Sequence, residues 1–415
     1  MIRWQGDMRQ LVTATTEVLA ELGRLRWDQS SMLQHRAIAL LSKGIGLLWT
    51  DRADHADRYL WAAATASRAA GTPLVEVSAL GHLALLGILH GSLQTAREHA
   101  TAALGVAQRI EAEDRAAAAP AHLVQAVIEL ERGDGPRAED ALRRALHATG
   151  DQPEAAMTVL SGTLRAYLLM ERGEPGTAGA VLGGVVQEAG PGLDAPLLRR
   201  VVELTRSEID LALNNPSPVL ARYGARDGLY PAEQLLLAQA YQAAGRPDAA
   251  EQLPAVVREG PDRVSAVSAW LLTALAADAH GHSTRAGEAL GRALAKAEPE
   301  RIRRPFRHYG GDRVLALAER QQWLTETRGP SGDSVLAEIT GEIPGVVAIP
   351  SAGPLSEREI DVLQYLPTVL TAGEIAENLG ISVNTVKAHM RSIYRKLGAG
   401  RRRTAVVIAR QLGLL

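Results

Sequence analysis

The chain contains no cysteine. That single absence removes disulfide frameworks, thiolate nucleophiles and cysteine metal sites together. Aromatic residues are only 4% of the 415, and Phe306 is the sole phenylalanine. Lysine occurs only at Lys43, Lys296, Lys387 and Lys396, so arginine carries almost all the positive charge. No apolar run approaches the roughly 20 residues of a bilayer-spanning helix. Met1-Ile-Arg-Trp-Gln-Gly-Asp7 has none of the apolar core of a secretory signal. The expectation is a cytoplasmic protein without a membrane partner. No phosphate-binding loop of the Gly-x4-Gly-Lys-Ser/Thr type occurs; Ser42-Lys-Gly-Ile-Gly46 has the residue types in the wrong order. His280-Gly-His282 offers too few ligands for a metal ion. No Ser-His-Asp or paired-carboxylate arrangement stands out. The reading is therefore not an enzyme, with no cofactor and no metal.

Among the residues present, the charge is unevenly placed. The net charge is −2, yet the last sixty or so residues carry roughly +4, which leaves the rest acidic by about six. From Leu379 to Leu415 there is no Asp or Glu at all. A basic terminal segment attached to an acidic body is the pattern.

From about Leu11 to Gln322 the apolar spacing is helical almost throughout, opening with Leu11, Val18 and Leu22. One phrase recurs: an apolar helix, a short turn with glycine, then an alanine-rich helix. Leu85-Leu-Gly-Ile-Leu-His-Gly-Ser-Leu-Gln-Thr-Ala-Arg-Glu-His-Ala100 is one copy, and Ala126-Val-Ile-Glu-Leu-Glu-Arg-Gly-Asp-Gly-Pro-Arg-Ala-Glu-Asp-Ala141 is another. Turns near Asp51, Gly91, Gly133, Gly173, Asn214, Gly245 and Gly281 recur roughly every 30 to 42 residues. Alanines after each turn let paired helices approach closely. Trp49, Trp61 and Trp270 are expected to pack in this core, and Arg199, Arg200 and Arg206 to face solvent. His90 and His99 fall at a turn and on a helix face. The phrase resembles tetratricopeptide-type repeats, without most of their tyrosine and tryptophan signature. The resemblance implies an α-solenoid with a concave surface open to a protein or small-molecule effector. Arg328-Gly-Pro-Ser-Gly-Asp333 and Ile343-Pro-Gly-Val-Val-Ala-Ile-Pro-Ser-Ala-Gly-Pro354 read as linker, with one short helix over Ser334 to Ile339 between them.

The terminal segment carries sharper signals. Ser356 with Glu359, and Thr371 with Glu374, have capping-box spacing just before apolar runs. Gly380 supplies a left-handed helix end, and Ser382 caps a following helix of roughly Val383 to Leu397. On that helix Val386, Met390, Ile393 and Leu397 point inward. Asn384, Lys387, Ala388, Arg391 and Arg395 share another face, with cations and an amide but no acid. Such a face fits a major groove, its charges meeting phosphates and its leading side chains meeting base edges.

Leu355-Ser-Glu-Arg-Glu-Ile-Asp-Val-Leu363, Glu374-Ile-Ala376, Ile381-Ser-Val-Asn-Thr-Val-Lys-Ala-His389 and Ile393-Tyr-Arg-Lys-Leu397 resemble the LuxR-type DNA-binding domain. The resemblance implies four helices. It places Lys387, Ala388 and Arg391 near bases and Thr385 and Lys396 near the DNA backbone. It makes the last helix, about Thr404 to Leu412, a pairing element through Ala405, Val406, Ala409 and Leu412. Arg402 and Arg403 add phosphate contacts. Two departures stand out. Val369 and Ala372-Gly373 replace a glycine and an Asn-Lys pair of the family, and Pro367 lies close to the end of the first helix.

The expected architecture is all-α: a helical-repeat domain over 1–324, a linker over 325–353 and a four-helix LuxR-type domain over 354–415. The expected partners are double-stranded DNA, an effector on the solenoid and a second copy on DNA. This pairing of domains resembles the rear part of the large ATP-binding LuxR (MalT-like) regulators, so a short regulator and the rear of a longer one both stay open. A protein-interaction scaffold is the competing class.

Overall fold

The computed structural model describes residues 7–24, 29–50, 52–150, 153–246, 255–309, 311–320, 356–368, 370–396, 406 and 409. The chain divides into two compact units, Met1–Glu326 and Thr327–Leu415. Every described element is helical. The expected linker and its short helix fall outside the described residues.

The first unit is a stack of helix hairpins. After α1 (Met8–Leu22) come α2 (Gln29–Trp49) with α3 (Ala53–Ala70), α4 (Pro73–Leu89) with α5 (Leu93–Arg109), α6 (Ala119–Glu131) with α7 (Gly135–Thr149), and α8 (Ala155–Glu171) with α9 (Pro175–Ala189). Then follow α10 (Pro196–Ala212), α11 (Ser217–Tyr223), α12 (Pro231–Ala243), α13 (Ala255–Glu259), α14 (Arg263–Ala279) with α15 (Ser283–Ala297), α16 (Arg304–His308) and α17 (Gly311–Arg320). Gly91, Gly133, Gly173, Asn214, Gly245 and Gly281 all take positive φ where a helix ends, so these turns stand where the sequence puts them; Asp51 lies outside the described residues. Each turn reverses the chain by ending a helix in a left-handed residue.

The second helix of a hairpin is amphipathic in alanine. Ala96, Ala100, Ala103 and Ala107 of α5 are buried, as are Ala286, Ala289, Ala293 and Ala297 of α15. Small side chains let the helix axes come close. At Gly87 even a methyl group would sit 2.8 Å from the Ala96 amide nitrogen, so α4 and α5 touch backbone to backbone. The first helices α4, α6, α8, α10, α12 and α14 pack in sequence, each on the next, and make the inner layer of a solenoid. Trp49 and Trp270 are buried in it. Trp61 is not: it is 42% exposed and packs edge-to-face on His99, with ring centroids 5.3 Å apart. Val18, on the outer side of α1, is likewise exposed.

The inner face does not stay open. The array curls until α10 meets α2, and residues 262–309 fold back across the ends of the earlier hairpins. The Arg263 amide donates to the Gly91 carbonyl at 3.2 Å. The Leu93 amide, first in α5, donates to the buried Glu300 carboxylate at 2.8 Å, and Arg263 pairs with the same carboxylate at 3.0 Å. The Arg303 amide donates to the Glu131 carbonyl at 2.8 Å, and the Arg307 guanidinium to the Gly133 carbonyl at 2.9 Å. Arg304 joins three helix ends: Glu131 of α6 at 3.0 Å, Glu171 of α8 at 3.3 Å and Glu208 of α10 at 2.8 Å. Inside this closure lies a lumen of about 310 Å³. The expected concave surface is thus a partly open pocket, walled by the inner helices and by residues 262–309.

The second unit holds α18 (Glu357–Tyr365), α19 (Ala372–Leu379) and α20 (Val383–Lys396). Val362, Leu363, Leu366, Ile375, Ala376, Val386, Ile393 and Ala409 form its core.

Candidate nucleic-acid interface

The interface is set by the way α19 and α20 are started and stopped. Both capping boxes form. Ser356 Oγ accepts from the Glu359 amide while the Ser356 amide donates to Glu359 Oε2 at 2.7 Å, and Glu359 is buried. Thr371 and Glu374 repeat the exchange, the Thr371 amide reaching Glu374 Oε2 at 2.7 Å. The bond from the Thr371 amide, with one from its hydroxyl, holds the exposed Glu374 carboxyl below its ordinary value. Each box satisfies amides that a helix start leaves without partners.

The turn between the helices is equally determined. Gly380 has φ 64°; its amide donates to the Glu377 carbonyl at 3.3 Å, and the Ile381 amide donates to the Ala376 carbonyl at 3.0 Å. This is the paired bonding of a Schellman end, which a residue with a Cβ reaches only with strain. Ser382 Oγ then accepts from the Thr385 amide at 3.1 Å and starts α20 two residues after the glycine. Ala376 is buried where the helices cross, with Ile375 and Val386, while Leu379 and Ile381 pack partly against them.

This geometry fixes the orientation of α20. Val386 and Ile393 are fully buried and Met390 is partly so. Asn384, Thr385, Lys387 and Ala388 are all exposed, on the first two turns. An exposed first two turns, free of acids, is the part of a second helix that can enter a groove. Arg391, Arg395 and Lys396 continue along the same helix backbone, but their side chains lie outside the described residues. Arg402, Arg403, Ala405 and Leu412 also lie outside them. Pro367, exposed just beyond α18, follows that helix rather than interrupting it.

One expectation is corrected. Ala409 belongs to the unit's own core and has no exposed surface, and Val406 is half-buried against that core. A residue packed on Val362 and its neighbours within the domain cannot also present its side chain to a second copy. The small side chain of Ala409 therefore serves the fold, while Val406 keeps part of its surface.

The sequence reading passed over a second polar cluster, around Arg304 in the first unit. Its signal was the arginine-rich run Arg301-Ile-Arg-Arg-Pro-Phe-Arg307, which departs from the evenly mixed charge around it. Burial works against charge on Arg304. Glu131 and Glu208 outweigh that effect, and its pKa stands well above the usual guanidinium value. Burial raises the Glu131 carboxyl.

Residues 353–409 match the family described as bacterial regulatory proteins, luxR family. The HTH-type transcriptional activator RamA of Corynebacterium glutamicum is 42% identical over 80 residues, 19% of this chain and 28% of that protein. The transcriptional regulatory protein YdfI of Bacillus subtilis is 48% identical over 61 residues, 15% of this chain and 29% of its own length. The chain spans less than a third of either relative. The capped helix, the Gly380 turn and the exposed start of α20 are thus the local form of that family's pattern, and residues 353–409 are a LuxR-type helix-turn-helix domain.

Proposed function

We propose that the chain is a DNA-binding transcriptional regulator whose second unit reads double-stranded DNA through α20 and whose first unit receives a signal. The observation that carries the reading is the exposure of Asn384, Thr385, Lys387 and Ala388 at the start of the second helix of a helix-turn-helix. Lys387 and Arg391 read base edges, and Asn384 and Ala388 lie beside them in the groove. Thr385, Arg395, Lys396, Arg402 and Arg403 hold the sugar-phosphate backbone. Pairing of two copies on DNA falls to Ala405, Val406 and Leu412.

The first unit reads as a tetratricopeptide-like solenoid, and the whole as similar to the rear part of the large ATP-binding LuxR-type regulators. Its chemistry is recognition rather than catalysis. No described helix is long and apolar enough to cross a membrane, in keeping with work on DNA in the cytoplasm.

Fluorescence anisotropy on a selected operator, read at rising salt, tests the proposal. Affinity should fall steeply as counterions return. Lys387→Ala should cost roughly 1–3 kcal/mol on the operator and much less on unrelated DNA. Salt-insensitive binding, or an unchanged Lys387→Ala variant, would favour a protein-interaction scaffold instead.

A further inference from the structure

The lumen of the first unit has two unlike kinds of lining. Leu85, Leu123, Leu164, Leu204 and Leu235, one from each of five successive inner helices, make an apolar wall. Glu131, Glu208, Tyr167, Arg304, His308 and Tyr309 supply its polar lining. A mostly apolar space of roughly 300–1,000 Å³ with a few convergent polar groups is the usual form of a small-molecule site.

The polar lining is short of positive charge. One guanidinium serves three carboxylates, and its bonds to Glu131, Glu171 and Glu208 use all three of its nitrogens. Tyr167 donates its hydroxyl to Glu208 at 3.0 Å, and Tyr309 accepts from Gln239 at 2.9 Å. Burial lowers the pKa of His308, so that ring supplies no cation at neutral pH. Glu131 keeps one oxygen, Oε2, buried with no hydrogen-bond partner among the described residues. A buried acceptor left unmatched is costly, and a buried carboxylate more so. An anionic ligand would bring further negative charge to these acids, whereas a cation supplies what the wall lacks.

We propose that the lumen binds a lipophilic amine, its apolar body against the leucines and its ammonium group beside the Glu131 and Glu208 carboxylates. This deepens the reading of the first unit as a signal receiver and rests on it. The closure by residues 262–309 lies directly over the site, since Arg304, Pro305, His308 and Tyr309 are part of its wall. An occupant therefore touches both the early hairpins and the segment that returns across them.

Three probes with one apolar body separate charge from shape: 4-phenylbutylamine, 4-phenylbutan-1-ol and 4-phenylbutanoate. Calorimetry on the full chain should rank the amine tightest by about tenfold over the alcohol, and the carboxylate last. Glu131→Gln should weaken the amine about tenfold and move the alcohol by less than about threefold. Val127→Phe, which fills the lumen, should weaken all three. A carboxylate that binds as well as the amine, binding by none of the probes, or binding untouched by Val127→Phe would each overturn the proposal. The ranking on the unaltered chain stands even if Glu131→Gln fails to fold. If the ranking holds but saturating amine leaves operator affinity unchanged, the lumen assignment stands and the signal-receiving reading falls.

Discussion

Replacing Arg304 by alanine removes one side chain and breaks three ion pairs. The guanidinium is 12% exposed, and its partners Glu131, Glu171 and Glu208 are 10%, 24% and 19% exposed at the side chain. Breaking a buried pair by deleting one partner costs about 3–5 kcal/mol, because the other charge stays buried and unmatched. Here three carboxylates are left together, which argues for the upper part of that range. Their partial exposure, and the readiness of Glu131 to take a proton, argue for the lower part. A loss of about 3 kcal/mol for the first unit is the expectation. The assay is direct, since all six tryptophans lie at or before Trp323 and none lies in the second unit. Urea unfolding followed by tryptophan emission therefore reports the first unit alone. Adding Glu131→Gln to Arg304→Ala should recover part of the loss, because one of the stranded charges is gone. A loss below about 1 kcal/mol, or a double variant no more stable than Arg304→Ala, would refute the account of Arg304 as the tie between α6, α8 and α10.

Further outcomes follow from the same geometry. Gly380→Ala should cost the second unit about 1–2 kcal/mol in thermal unfolding, since its φ is 64°; an unchanged melting temperature would mean that the turn relaxes. Gly87→Val should destabilise the first unit by about 1–3 kcal/mol through overpacking between α4 and α5, read by the same tryptophan signal. Burial raises Glu131 above its usual value of 4.5. An acid raised in the fold is most favourable below its unfolded value and loses ground as pH rises through its folded one. The first unit should thus lose stability as pH climbs from 4.5, and Glu131→Gln should lack that component. Glu374 is the opposite case, held low by the Thr371 amide. Its contribution to α19 is present above 4.5 and is lost as pH falls through the folded value, so Glu374→Gln should flatten the acid limb of the second unit's pH–stability curve.

The second unit was readable because its signals are local. Ser356 and Glu359 are three residues apart, as are Thr371 and Glu374, and Gly380 announces its own backbone. Most hairpins of the first unit were readable for the same reason, their turns carrying a glycine or an asparagine. The closure was not. Glu131 and Glu171 end their helices, Glu208 lies near the end of its own, and each looks like an ordinary solvated acid. What gathers them is Arg304, between 96 and 173 residues further along the chain. No periodicity links such partners. The body is acidic in sequence, yet three of its acids face an arginine of their own unit. Ala409 misled in a different way: a small apolar residue on a short terminal helix suits an interface and a core equally, and only packing decides between them.

An open array of hairpins is nearly one-dimensional: each repeat leans on its neighbours, and the ends fray or peel away singly. The bond from Leu93 to Glu300 spans 207 residues, and with the Arg304 ties it fastens late chain to early chain. Hairpins tied in this way cannot peel singly. Forming those contacts requires closing long loops, which slows folding and stores the reward until the last step. The first unit should accordingly melt as one cooperative body. A chain cut after Ala297 would lose more than its last helices, because every earlier hairpin that Glu300 and Arg304 anchor would be released in the same event.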